Sequence, residues 1–303
     1  MATSFGASAQ SPESAHGVLL CADDFAMTNG ISRAIIELAE AGRISAASAM
    51  TNSPHWPAHA TWLARVRGRI STGLHLNMTL GSPLGAMPEF AVGRRFPTIG
   101  QVTSRALTGR INRAEVRAEI ERQITAFEAE MGFPPDHVDG HQHVHALPVI
   151  RTVLLQVLSQ RYPPATARPL LRDPADRTMS LLARKRGLSK AVTLAALSAG
   201  FGAKARAAGF QTNRGFAGVT GFSPKGVSAD FTAASRAAGP RHLVMCHPGF
   251  VDAELIKLDP ITERRQQEFG HLLQNGFPSI LWRTQRSASG EPIAWSTAWT
   301  GSP

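Results

Sequence analysis

Apolar positions along this chain switch between the period of a strand and the period of a helix. Residues 17–22 form a continuous apolar run that predicts a strand buried on both faces. Ile31, Ala34, Ile35, Leu38 and Ala39 then recur at helical spacing, and Gly42 is placed to end that helix. A second strand is predicted over 45–50, a helix around Trp62, Leu63 and Val66, and a third strand over 71–77. In that strand His75 and Asn77 share one face, and Leu74 and Leu76 the other. Residues 78–111 are rich in Gly and Pro and weakly periodic, which predicts a long loop able to shape a cleft. Asn112 and Glu115 have the spacing of a capping box, opening a helix with the stripe Val116, Ile120, Ile124 and Phe127. Further on, the pattern predicts a helix over 149–158, a strand over 165–171 despite Pro169, and a largely helical stretch over 179–208. A late strand over 242–246, a helix over 261–274 and a closing strand over 279–282 complete the pattern.

Repeated alternation of strand and helix favours a parallel sheet with helices outside, an α/β fold. At 303 residues one domain of (β/α) barrel type is possible, and a deformed TIM-like barrel over 17–283 is the expected architecture. An open doubly wound sheet is the runner-up. Residues 284–303 are expected to be a peripheral tail, although Trp295 and Trp299 could pack back. Residues 1–16 are small and polar and read as a disordered leader, without the basic and apolar regions of a signal peptide. No apolar run approaches the length of a membrane span. Two cysteines, Cys21 and Cys246, argue against a disulfide framework and suit a reducing cytoplasm.

Lys and Arg outnumber Asp and Glu by 32 to 22, a net charge of +10. Much of the excess lies between Arg168 and Arg214, where Arg184-Lys185-Arg186 is the densest cluster and Asp173 and Asp176 are the only acids. The segment lacks interleaved aromatics for base stacking, and the chain has a single tyrosine, Tyr162, so no nucleic acid is expected. A solvated basic face is the default, with peripheral contact to an anionic membrane as the alternative. Leu181, Leu182, Leu188, Val192 and Leu197 fit core or interface packing and so admit a homodimer.

Four predicted strands end in acid or imidazole. Cys21-Ala22-Asp23-Asp24 closes the first, and Gly73-Leu74-His75-Leu76-Asn77 lies in the third. Asp139-Gly140-His141-Gln142-His143-Val144-His145 follows Asp136-His137-Val138, and Leu243-Val244-Met245-Cys246-His247-Pro248-Gly249 closes the late one. If the chain stays extended, Asp139, His141 and His143 point to one side. Such crowding of imidazole makes metal binding the leading reading over a solvated His-rich loop. Adjacent aspartates in a regular strand point apart, and their charges are costly to hold together without a cation. Asp24, His75 and His141 supply one carboxylate and two imidazoles, a common ligand set for a metal with open positions, which leaves Asp23 as general base. No glycine fingerprint or P-loop follows the first strand, so nucleotide binding has no motif behind it.

These runs, with Ala22-Asp23-Asp24-Phe25 at their head, resemble the YdjC-like carbohydrate deacetylases, which include chitooligosaccharide and hopanoid-biosynthesis-associated deacetylases. Weaker similarity covers 39–45 and 213–218, and the resemblance spans about Val18 to Trp282 in the family's order. It implies a deformed (β/α) barrel, one divalent metal, magnesium or zinc, and hydrolytic removal of acetyl from an N-acetylated saccharide or glycolipid. Position by position, it makes Asp24, His75 and His141 metal ligands and Asp23 the base. His247 falls where a general acid is expected, with His143 as competitor. Substrate contact is expected at His143, His145 and Asn77, with support of the metal ligands from behind as the alternative for the two histidines. Ala26 departs from the glycine usual after Asp-Asp-Phe. A metal-dependent phosphoesterase is the rival among enzymes, and a basic module binding nucleic acid or anionic membrane the rival outside them.

Overall fold

The computed structural model describes residues 17–163, 168–236, 238–284, 286, 291 and 293–299; the expected leader over 1–16 lies outside them. Among the described residues there are seven strands: β1 Leu19–Phe25, β2 Ala46–Ala49, β3 Ser71–Leu76, β4 His137–Gly140, β5 Leu170–Leu171, β6 Gly215–Ala217 and β7 His242–Cys246. Helices α1 Asn29–Glu40, α2 Trp56–Val66, α3 Ile99–Leu107, α4 Arg113–Met131 and α5 Ile150–Arg161 belong to the first half. Helices α6 Thr178–Arg184, α7 Leu188–Leu197, α8 Phe201–Ala207, α9 Val227–Ser235, α10 Leu255–Leu258, α11 Glu263–Asn275 and α12 Trp295–Ala298 follow.

All pairings are parallel, in the order β5-β4-β3-β2-β1-β7-β6. The two edges of this sheet then meet: Leu171 of β5 bridges Thr212, just ahead of β6, and its N–H donates to the Gln211 carbonyl. The expected (β/α) barrel is therefore present, with its weakest seam between β5 and the chain entering β6. The closing strand expected over 279–282 shrinks to one bridge, Leu281 to Val18 at the foot of β1. Strand β6 and helix α9 were not foreseen, because Gly-Phe-Ala is too short a run to show a period.

Alternation along the strands separates two cores. Leu20, Ala22, Ala47, Leu74, Val138 and Val244 face outward into the helix layer, with Ile31, Ile35, Leu63, Ile120 and Ile124 packed over them. Leu19, Cys21, Ala46, Leu170, Phe216, Leu243 and Met245 face the barrel axis. Trp282, Trp295 and Trp299 join this inner cluster, and the Trp295 indole donates to the Asp136 carbonyl at 2.7 Å. The tail expected to be peripheral thus packs its tryptophans into the core.

Local signals explain most boundaries. Thr28 Oγ1 accepts from the Ile31 N–H to start α1, and Gly42, at φ 67°, ends it while the Arg43 N–H returns to the Leu38 carbonyl. Asn112 caps α4 as expected, but the box is not reciprocal: the Glu115 carboxylate accepts from the Glu89 and Phe90 N–H groups instead. The reciprocal box belongs to Thr98 and Gln101, opening α3 inside the stretch expected to be loop. The strand expected over 165–171 is reduced to β5, with 164–167 outside the described residues. The helical stretch 179–208 breaks into α6, α7 and α8 where Lys185, Gly187 and Gly200 adopt positive φ. Among the described residues, no helix is long and apolar enough to cross a membrane.

Candidate active site

The inner face of the barrel changes from apolar to charged toward the C-terminal ends of the strands. Above the leucines lies a polar layer where His137 Nδ1 meets Ser71 Oγ at 2.8 Å and its Nε2 lies 3.6 Å from Cys21 Sγ. Gly73 faces this ring, and a Cβ there would sit 2.3 Å from His137 Nε2, so only glycine fits without displacing it. The next inward positions are Asp23, Ser48, His75 and Asp139, with Arg172 and His247 one residue beyond β5 and β7. A cavity of about 520 Å³ opens above them, with Asp23, Asp24, His75, His141, His143, His247 and Arg265 on its walls.

Both aspartates reach this cavity because β1 is not regular there. Its register with β2 shifts between Ala22 and Phe25, and Asp24 has φ 69°. Ala26, at φ 70°, explains the preference for glycine after Asp-Asp-Phe: it holds a left-handed conformation without glycine's freedom. The neighbours then take separate partners. Asp23 receives a bidentate pair from Arg172, at 2.6 Å to each oxygen. Asp24 Oδ1 lies 2.8 Å from His141 Nδ1 and 3.2 Å from His75 Nε2, while Oδ2 accepts from Arg265 at 2.6 Å.

The extended geometry expected through the His-rich run stops at Gly140. Residues His141–Ala146 form a 3-10 turn in which Gln142 and His143 have positive φ. Asp139, still on the strand, holds His75 Nδ1 at 2.7 Å and also pairs with Arg172. His141 swings to Asp24, and His143 turns its ring edge-on to Phe216. Asp139, His141 and His143 therefore do not share one ligand-bearing side, because the backbone reverses between them.

Asp24, His75 and His141 offer ligand atoms within 4.8 Å of one another. Their chemistry fits a divalent cation: one carboxylate oxygen and two imidazole nitrogens converge beside a cavity with room for further ligands. His75 is fixed for this role, since Asp139 and Ser48 Oγ, 3.1 Å from Nδ1, engage its far nitrogen. Burial opposes charge on His75, but Asp139, Asp24 and Asp23 around it lift its pKa to about 10. Burial likewise opposes charge on Asp24, yet Arg265 and His141 hold its carboxyl well below the usual range.

His247 sits on the cavity wall with its side chain 14% exposed and Nε2 4.0 Å from Asp23 Oδ2. Its backbone N–H donates to Glu268 at 2.6 Å, and its ring meets Phe222 edge-on. His143 also lines the cavity, but burial, with Arg172 nearby, pushes its pKa well below the ordinary histidine value. His145 does not fit the substrate contact expected of it: it is fully buried, packs against Phe201 and bonds the Arg172 carbonyl at 2.8 Å. Burial lowers its pKa to about 4. Asn77 is also fully buried and clamps the following loop, accepting from the Thr79 and Leu80 N–H groups and donating to the Leu80 carbonyl.

Three residues at the centre of the site were missed. Arg172 and Arg265 neutralise the two aspartates, and Glu268, held by Arg264 at 2.7 Å, anchors His247. Arg172 was submerged in a segment read as a solvated basic face; its position just after the apolar pair Leu170-Leu171 was the available signal. For Arg265 and Glu268 the signal was their burial-compatible spacing with Phe269 and Leu272 on one amphipathic helix.

A chitooligosaccharide deacetylase of Serratia marcescens is 35% identical over 134 residues, 44% of this chain and 52% of that protein. A carbohydrate deacetylase of Geobacillus stearothermophilus is 34% identical over 154 residues, 49% of this chain and 60% of that protein. The alignments thus span little more than half the length of these curated relatives. Among solved structures, a candidate cellobiose-phosphate cleavage protein of Enterococcus faecalis V583 has a TM-score of 0.63 at 20% identity. It covers 86% of this chain and 92% of its own, and shows a shared fold. The model of one family, described as YdjC-like protein, matches residues 17–283, and the chain belongs to that family.

Proposed function

We propose that this protein hydrolyses the N-acetyl amide of an N-acetylated saccharide, free or carried on a lipid, releasing acetate with the help of one divalent cation, magnesium or zinc. One observation carries this reading: Asp24, His75 and His141 converge beside a second carboxylate, Asp23, in one cavity at the C-terminal mouth of the barrel. The two relatives named as chitooligosaccharide and carbohydrate deacetylase support it. A cation held by the three residues supplies Lewis acidity, which lowers the pKa of water and polarises a carbonyl oxygen.

The remaining chemistry belongs to the chain. Asp23 accepts the proton that water loses as its oxygen attacks the amide carbon. Arg172 occupies one direction at each carboxylate oxygen and Ser48 Oγ a second at Oδ1, 3.4 Å away, which leaves Oδ2 with a lone pair for the proton. His247, just past the end of the neighbouring strand β7, lies beside Asp23 and donates a proton to the departing nitrogen as the C–N bond breaks. Glu268 fixes its main chain through the backbone N–H, and Phe222 packs against its ring. His143 is assigned to a substrate hydroxyl. Two free, buried cysteines suit a reducing compartment, and we place the enzyme in the cytoplasm.

The test offers metal-loaded protein a panel of N-acetylated saccharides, N-acetylated glycolipids and sugar phosphates. Acetate release that stops on chelation is the expected result. Release of inorganic phosphate without acetate overturns the proposal in favour of phosphoester hydrolysis.

A further inference from the structure

We infer that the face formed by α6 and α7 docks this protein onto an anionic lipid surface, beside the mouth of the barrel. Both helices show apolar side chains to solvent: Met179 is 76% exposed, Leu182 49%, Leu188 38% and Val192 52%. Met179 and Leu182 are three residues apart, and Leu188 and Val192 four, so each pair forms one stripe on its helix. A solvated helix places polar side chains at such positions.

The charge around these stripes has one sign. Arg177, Lys185, Arg186 and Lys190 are exposed between and beside them, and no Asp or Glu occurs from 177 to 229. The two preceding acids are directed inward: Asp176 pairs with the buried Arg184, and the Asp173 side chain is only 15% exposed. Arg186 is matched by Asp230, but Arg177 and Lys185 form no ion pair among the described residues. Exposed Met, Leu and Val among unneutralised Lys and Arg have the composition that enters a bilayer interface carrying negative headgroups.

Other occupants fit less well. The segment 168–230 has no Trp or Tyr to stack on bases. A second copy of the same face would bring like charges together. The location also matters: Lys190 and Leu194 of α7 line the catalytic cavity, so the docking face borders its rim. Docking goes beyond the deacetylase reading and does not depend on it.

Sedimentation of the full chain with vesicles tests the inference, comparing phosphatidylglycerol mixed into phosphatidylcholine against phosphatidylcholine alone. Each basic side chain at an anionic surface raises partitioning roughly fivefold, so binding to the mixed vesicles should be clear at low salt and fall as salt rises. The charge reversal Lys185→Glu should reduce it roughly tenfold or more. The pair Leu182→Ser and Val192→Ser should also weaken it, with thermal melting unchanged because these side chains face solvent. No sedimentation with anionic vesicles, or equal sedimentation with neutral ones, overturns the inference. So does a serine variant that binds as tightly as the native chain. Displacement by a short DNA duplex that the serine variant still binds fully would reassign the face to nucleic acid.

Discussion

Asp23 and Asp24 are neighbours with different partners, and the backbone between them makes that possible. A regular strand would send one of them into the helix layer; the shifted register and the positive φ of Asp24 turn both to the cavity. The doubled acid, His75 and His141 were legible because each lies at the end of an apolar run, where a barrel exposes its inner positions. Arg172 and Arg265 were not legible, because their partners lie 149 and 241 residues away in the chain. Nor could alternation show that the His-rich run reverses after Gly140, since Gln142 and His143 adopt a conformation their side chains do not advertise. The buried His75 brings a pH dependence. The surrounding carboxylates raise the His75 pKa from 6.5 to about 10, so the protonated ring stabilises the metal-free fold. That contribution is complete below the unfolded value and is lost as pH rises through about 10. A cation must displace this proton, so metal affinity should rise with pH across the neutral range. Titration of zinc or magnesium at about pH 6 and about pH 8 checks the sign, and equal or weaker binding at the higher pH contradicts it.

Elements with a long period were legible and short ones were not. Helix α4 has four stripe positions, Val116, Ile120, Ile124 and Phe127, all fully buried as the pattern required. Strands β5 and β6 contain two and three residues, and only pairing with β4 and β7 makes them strands. Helix α3 was hidden because the surrounding Gly and Pro suggested loop, although Thr98 and Gln101 already had capping-box spacing. The cap of α4 carries a prediction. Asn112 Oδ1 accepts from the Ala114 and Glu115 N–H groups at 3.0 and 3.2 Å. Asn112→Ala should therefore cost about 1 kcal/mol of stability, read as a lower urea midpoint with unchanged slope. An unchanged midpoint would mean that the loop donors held by Glu115 already fix the start of the helix.

The whole molecule divides the barrel axis into a sealed end and a reactive end. Tryptophans and leucines fill one end, the His137 layer follows, and charged groups gather where the strands finish. The alternation of strand and helix made the barrel legible; its seam and its tryptophan packing depend on contacts between distant segments. Trp295→Ala should remove a buried ring and the indole bond to Asp136, costing about 3–5 kcal/mol. Calorimetry should show a lower melting temperature with metal binding retained below it, and an unshifted melt would show that the tail does not complete the core.

The proposed reaction needs one cluster to hold the cation while the aspartate beside it moves the proton. Metal content and acetate release, measured on the same preparations of native protein, His75→Ala and Asp23→Asn, test it most directly. His75→Ala should lose metal and activity together, and Asp23→Asn should keep its metal but not its turnover. Full metal occupancy in His75→Ala, or native turnover in metal-loaded Asp23→Asn, would contradict it.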